Sequence, residues 1–307
     1  MKTPDALLLA DPHIRSDKPR CRTEEDYLDT QDGKITFIFK LARKHQCPIL
    51  IAGDLGNEAQ WPNWLLRWFT FKVKKYGVKI YAIPGQHDLP YHRLRHWKKS
   101  AIGVLGTAKV INLIGIKGHF APKEIKSFDL IPFPYGRPIV PIMKGASSLK
   151  SEPMVAMSHQ MVIDRRLWPG QVAIKGHQLL RQFPEYKLIL TGDNHTPFVF
   201  KYEDRILVNP GSVFRQEADE VNHRPRVYLW YSKSNTVKAV YIPIKKGVVS
   251  REHIDEKDER SERLTKYVDQ MKLEYKVGTS YKKNLIKYFR KNEVDKKVKE
   301  RVLEASE

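Results

Sequence analysis

Through the first two thirds of the chain, short apolar runs alternate with longer amphipathic stretches. DALLLA (5–10) predicts a buried strand, and GKITFIFKLARKHQ (33–46) sets Ile35, Ile38, Phe39 and Ala42 on one helical face. PILIAGD predicts a second strand. AQWPNWLLRWFTFKVKKYG predicts a helix with Trp61, Trp64, Leu65 and Trp68 at helical spacing, stopped by Gly77. The three tryptophans are expected in the core. VKIYAIPG then predicts a third strand. Strands separated by helices of this length indicate βαβ units and a parallel sheet.

A Pro- and Gly-rich middle (121–153) is followed by PMVAMSH, a helix near 172–182, YKLILTGDNH, and the hairpin-like pair FVFKYED and RILVNPG. RPRVYLWYS and NTVKAVYIPI predict antiparallel strands closing a second sheet. From Lys245 the pattern changes to dense charge, with apolar residues at helical spacing in LIKYF and VKERVLEA. These shifts divide the chain into a domain over 1–245 and a charged helical module over 246–307. No internal repeat is evident.

Composition narrows the class. A chain of 307 residues with 41% hydrophobic side chains can bury a proper core. Cys21 and Cys47 cannot build a disulfide framework and form no CxxC, so reduced thiols in a cytoplasmic protein are expected. No apolar run reaches the ~18 residues of a membrane helix, and ALLLA is too short for a signal-peptide core. The formal charge of +20 favours a polyanionic partner, nucleic acid before anionic membrane.

The candidate chemistry lies where apolar runs end. LLLADPH presents Asp11 and His13, LIAGDLGN presents Asp54, IPGQHD presents Gln86, His87 and Asp88, AMSHQ presents His159, and LTGDNH presents Asp193 and His195. Any one of these alone is more often a turn or a helix cap. Their order is the signal, because ligands of open α/β sheets bind at the carboxyl ends of strands. Carboxylates, imidazoles and an amide make a mixed oxygen and nitrogen site suited to Mn²⁺, Zn²⁺ or Fe²⁺, without the thiolates of a structural zinc site.

Taken in order, these motifs resemble those of the calcineurin-like metallophosphoesterases, DxH, GD, GNH(D/E), H and GHxH, over roughly residues 5–245, with NPGS (209–212) as weaker support. Within that superfamily the chain is similar to the nuclease branch related to the bacterial SbcD DNA-repair exonuclease, particularly its phage-type members. The resemblance implies a two-sheet α/β sandwich flanked by helices, with a C-terminal helical extension. It further implies that Asp11, His13, Asp54 and His195 hold one metal, and that Asp54, Gln86, His159 and Asp193 hold a second. His87 would stay uncoordinated beside the scissile phosphate, oriented by Asp88. Gln86 stands where the family usually has Asn, and Asp193 where it usually has His; both keep an oxygen donor. The added carboxylate favours Mn²⁺, or else Mg²⁺, over zinc.

The expected reaction is in-line attack on a phosphodiester by a hydroxide activated between two metals, with His87 serving the leaving oxygen. Arg93, Arg95, Lys98 and Lys99, interleaved with Tyr91 and Trp97, and Arg165 and Arg166 beyond His159 are candidate DNA contacts. Arg215 is read either as a substrate-phosphate contact or as a surface ion pair. By resemblance the tail docks on an SMC-like (SbcC-like) ATPase, and homodimerisation is a family habit; the tail reads equally as a cap on the enzyme's own sheet. Two other functions fit the same residues: a phosphoesterase for small substrates, and a non-catalytic DNA-binding or scaffold subunit.

Overall fold

The computed structural model describes residues 3–116, 123–125, 127–142, 153–164, 173–252, 266 and 281–304. Two units divide the chain, Met1–Ser250 and Arg251–Glu307. Among the described residues of the first, fourteen strands run in order: β1 (Ala6–Leu9), β2 (Ile49–Ile51), β3 (Ile80–Ala82), β4 (Asn112–Leu113), β5 (Lys123–Ile125), β6 (Phe128–Phe133), β7 (Met154–His159), β8 (Val162–Ile163), β9 (Ile174–Lys175), β10 (Tyr186–Gly192), β11 (Phe198–Tyr202), β12 (Arg205–Asn209), β13 (Arg226–Tyr231) and β14 (Thr236–Tyr241). Helices α1 (Tyr27–His45), α2 (Asn63–Tyr76), α3 (Ala101–Thr107) and α4 (Gly176–Gln182) join them. The second unit shows helices over Tyr281–Lys291 and Lys296–Glu304 among its described residues.

One sheet has the order β14-β13-β1-β2-β3-β4 and the other β11-β12-β10-β7-β6-β5, with β8 and β9 paired apart. The β1–β4 half is parallel, as the βαβ pattern predicts, and so are β12, β10, β7 and β6. Period-two alternation sorts the side chains into layers. Leu7, Leu9, Ile49, Ile51 and Ile80 pack on Ile35, Ile38 and Phe39 of α1 and on Leu65 and Phe69 of α2. Their alternates Ala6, Leu8, Leu50 and Tyr81 join Leu130, Val155, Met157, Leu188 and Val208 in one core between the sheets. Ala156, Ile189 and Leu207 pack with Leu179 and Leu180 of α4. Each buried leucine or isoleucine contributes roughly 1.5–3 kcal/mol, which lets this frame hold strained turns at its strand ends.

The structure corrects three sequence expectations. β13 and β14 pair antiparallel, but they extend the first sheet beside β1, with Ala6 opposite Trp230, instead of closing the second. Helix α1 begins at Tyr27, not near residue 33, because Asp26 caps it by accepting from the Leu28 and Asp29 amides at 2.8 and 3.3 Å. Of the tryptophans, Trp61 is buried and Trp68 is half-buried with Nε1 donating to Asp32, but Trp64 is 45% exposed. Leu65, Phe69 and Val73 form the inward stripe of α2, and Trp64 falls about 100° away from Leu65.

Candidate metal centre

Five strands that run parallel within their sheets deliver the polar motifs. Asp11 and His13 follow β1, Asp54 follows β2, and Gln86 and His87 follow β3; His159 ends β7, and Asp193 and His195 follow β10. The structure brings all seven expected ligands into one connected cluster. His195 Nε2 lies 3.1 Å from His13 Nε2, which is 3.8 Å from Asp54 Oδ2. Asp54 Oδ2 is 3.3 Å from His159 Nε2, and that nitrogen is 2.6 Å from Gln86 Oε1. Gln86 Nε2 donates to Asp193 Oδ1 at 2.6 Å, and the Asp193 amide reaches both oxygens of Asp11 at 3.1 Å.

This convergence relies on unusual backbone. Asp11, His13, Asp54 and Asp193 have φ of 47°, 42°, 48° and 80°, the left-handed region. Such residues cost of order 1–3 kcal/mol each and persist only where their surroundings fix them. Here the fixing bonds are His13 N to Asp54 O at 3.0 Å, Asp11 N to Gly53 O at 3.3 Å, and Val213 N to Asp11 O at 3.3 Å. Close approach adds a second demand. A Cβ on Gly85 would overlap Asp54 Oδ1, and one on Gly192 would overlap the Ala52 carbonyl and lie 2.9 Å from His159 Nδ1. The glycines before Gln86 and Asp193 therefore belong to the site, which ligand spacing alone did not reveal.

Electrostatics mark the cluster as a cation site. Burial first, and the neighbouring Asp54 charge, push Asp11 up to about 7. Burial lowers His13 to about 3, so its imidazole stays neutral and ready to ligate. Burial opposes charge on both Asp54 and His159, yet their mutual attraction prevails, keeping Asp54 ionised and His159 protonated well above its ordinary range. Among the described residues, two groups offer ligand atoms within 4.8 Å of one another: Asp11, Asp54 and His159, and His13, Asp54 and His87. Asp54, common to both, leaves Oδ2 buried without a hydrogen bond. A buried carboxylate oxygen with no hydrogen bond, facing the imidazoles of His159 and His13 at 3.3 and 3.8 Å and shared by two clusters of oxygen and nitrogen donors, fits a pair of divalent ions.

His87 lies beside this cluster. Its amide donates to Asp54 Oδ1 at 2.8 Å, its ring centroid is 5.1 Å from that of His13, and its Nδ1 donates to the Asn57 carbonyl at 3.1 Å. Asn57, which the sequence reading missed, therefore orients the ring, and the expected orientation by Asp88 is corrected. Asp88 is buried and accepts from the Leu55, Gly56 and Gly85 amides at 3.2, 2.9 and 3.0 Å, fastening the Asp54 turn to the Gln86 turn. His159 is oriented in the same manner as His87, Nδ1 donating to the Ala52 carbonyl at 2.7 Å.

Arg93, between the 3₁₀ turns Pro90–His92 and Leu94–Lys99, and Arg95, Lys98 and Lys99 on the second of them are exposed. His92 ties this segment to the site, Nδ1 donating to the Gln86 carbonyl at 2.9 Å. Arg165 and Arg166 lie outside the described residues. Arg215 takes neither expected role: it is buried and donates to the Val221 and Lys245 carbonyls.

A two-sheet α/β sandwich that gathers carboxylates, imidazoles and an amide at its strand ends defines a metal-dependent hydrolase. The family model for calcineurin-like phosphoesterases matches residues 6–197, more than half of the chain, and the chain belongs to that family. Its chemistry is accordingly metal-dependent hydrolysis of phosphoesters, in a family that typically binds two divalent metals. Similar solved structures include TT1561 of Thermus thermophilus, at 12% identity over 78% of this chain and 100% of that one, with a TM-score of 0.46. An archaeal phosphodiesterase matches at 11% identity over 77% and 99%, with a TM-score of 0.41. A search of curated proteins finds no significant match. No helix among the described residues is long and apolar enough to cross a membrane.

Proposed function

We propose that this phosphoesterase is a DNA nuclease of the SbcD-like branch, working with Mn²⁺. The supporting observation is the segment after His87. It leaves Arg93, Arg95, Lys98 and Lys99 exposed close in sequence to Tyr91, which is 83% exposed, within a chain of net charge +20. Cations in such a row track phosphates, and an exposed aromatic ring stacks on an unpaired base. A mononucleotide would use only a few of these charges.

Asp11, His13, Asp54 and His195 would hold one divalent ion, and Asp54, Gln86, His159 and Asp193 the other. Bound there, the ions neutralise the anionic phosphoester and activate the attacking water. The protein's own contribution is placement and proton transfer. The Asn57 carbonyl accepts a hydrogen bond from His87 Nδ1–H, so Nε2 is the nitrogen left for the leaving oxygen; there the imidazolium form of His87 would give up its Nε2 proton and become the neutral Nδ1–H imidazole. Asp88 holds the two turns that carry Asp54 and His87 at a fixed separation.

In the second unit, Ile286, Tyr288 and Val298 are exposed on charged helices, which supports docking of an SMC-like ATPase there. Substituting Ile286→Glu together with Tyr288→Ala should abolish that association and leave ester hydrolysis unchanged.

The test supplies purified protein and Mn²⁺ with end-labelled duplex DNA, single strands and a chromogenic phosphodiester. Salt-sensitive cleavage of DNA supports the proposal. Cleavage of the small ester alone makes the protein a small-substrate phosphoesterase, and salt-sensitive DNA binding without cleavage makes it a scaffold subunit.

A further inference from the structure

We infer that Glu220 is a positioning residue of the metal centre, a buried carboxylate that sets the ring of His195 and steadies the turn bearing His13. It belongs to the 3₁₀ turn Ala218–Asn222, and its two oxygens have different tasks. Oε2 accepts from the Gln216 and Glu217 amides at 2.7 and 3.1 Å, half of a capping box. Oε1 faces the cluster. It accepts from Ser212 Oγ at 2.5 Å and lies 3.9 Å from His195 Nδ1.

Capping accounts for Oε2 alone. The rest of the surroundings converge on the ligand turns. The Ser212 amide donates to the His195 carbonyl at 3.1 Å, and His223 Nε2 donates to the Ser212 carbonyl at 2.9 Å. Gln216, whose amide Glu220 holds, donates through Nε2 to the His13 carbonyl at 2.8 Å. Lys34, itself buried, donates to the carbonyl of Val213, whose amide bonds Asp11. The NPGS motif thus places Ser212 between Glu220 and His195.

The His195 side chain is 41% exposed, so packing alone does not fix its ring. A ligating imidazole that gives its other N–H to a carboxylate has a set tautomer and orientation and is a stronger donor. At 3.9 Å the Glu220 carboxylate is an ion-pair neighbour of Nδ1, outside direct hydrogen-bond reach, and its charge favours a proton there, which leaves a bare Nε2 facing the cluster. In Glu220→Gln the amide oxygen can keep the cap while the NH₂ group turns toward Nδ1. The charge that favours a proton on Nδ1 is then gone, and the tautomer carrying its proton on Nε2, the nitrogen that would ligate, gains population.

Calorimetric titration with Mn²⁺ tests this. E220Q should bind Mn²⁺ on the order of 10–100-fold more weakly, with turnover restored at raised Mn²⁺. Glu217→Ala, which removes the other half of the capping box, should leave Mn²⁺ affinity unchanged. Affinity of E220Q within twofold of wild type overturns the inference, as does an equal loss in E217A. If E220Q does not fold, ¹⁵N spectra of the wild-type imidazoles, without metal, decide the matter. A proton on His195 Nδ1 supports the role, and one on Nε2 overturns it.

Discussion

A matched pair of Gly→Ala substitutions tests whether close packing behind Asp54 builds the site. Gly85 needs no special backbone conformation, but an added Cβ would overlap the Asp54 carboxylate and amide. Asp54 cannot yield easily, since it sits at φ 48° and its carbonyl accepts from His13 N. Overpacking a rigid neighbour costs about 1–3 kcal/mol. Displacing the carboxylate also breaks the 2.8 Å bond from the His87 amide, worth about 1.5–3 kcal/mol for a charged acceptor. G85A should therefore lose about 3–5 kcal/mol, or roughly 10 °C in Tm for a unit of this size. Both ions should be lost together, because Asp54 belongs to both ligand groups. Gly33 is the control. It lies inside α1 with nothing within 4 Å of a built Cβ, so G33A should stabilise by about 0.5–1 kcal/mol. Urea unfolding and Mn²⁺ titration read both variants. A G85A protein of wild-type stability and metal affinity would refute the packing argument.

Other outcomes follow from single contacts. His87→Asn should lower turnover by about 10²–10⁴-fold with metal content unchanged by elemental analysis; loss of one equivalent would instead make His87 a ligand. Tyr91→Ala should reduce DNA cleavage about tenfold, the worth of one stacked base, and spare the chromogenic ester. Lys34 is buried beside Arg22 and Arg215, which lowers its pKa to about 7, below the ordinary 10.5. The unfolded chain therefore binds more protons above pH 7, and this residue's contribution to stability rises from pH 7 toward 10. The stability of wild type relative to Lys34→Met should grow over that window in urea melts, and a flat difference would contradict the burial argument.

The ligand motifs were legible because each is a polar break after a fully apolar run, and strand ends are where such breaks converge. What stayed hidden depends on partners remote in sequence. Nothing local in RVYLWY names β1 as its neighbour, because alternation reports which face is buried and not which strand lies alongside. Asp88 follows His87 directly, so adjacency suggested a pair; in the tight turn its side chain instead finds three amides from two loops. Asn57 acts through its backbone carbonyl, and Gly85 acts through the lack of a side chain, so neither carries a chemical label in the sequence. Glu220 belongs to no ligand motif, and its ties to Ser212 and His195 arise only in the fold.

The two departures from the family motif, Gln86 and Asp193, each keep an oxygen donor when weighed singly. The structure joins them. Gln86, one methylene longer than Asn, reaches Asp193 Oδ1 with its amide nitrogen while its oxygen faces His159 Nε2, each at 2.6 Å. The longer amide thus bridges Asp193, 107 residues away in sequence, and His159. Electrostatics follow from the same exchange. Asp193 joins Asp54 and Asp11 in holding a proton on His159 against the cost of burial. Divalent cations would satisfy those carboxylates in place of that proton, and more oxygen around the position favours a hard ion over zinc. Replacing either residue alone by its family counterpart therefore breaks a working pair, and only the double exchange would rebuild the usual one.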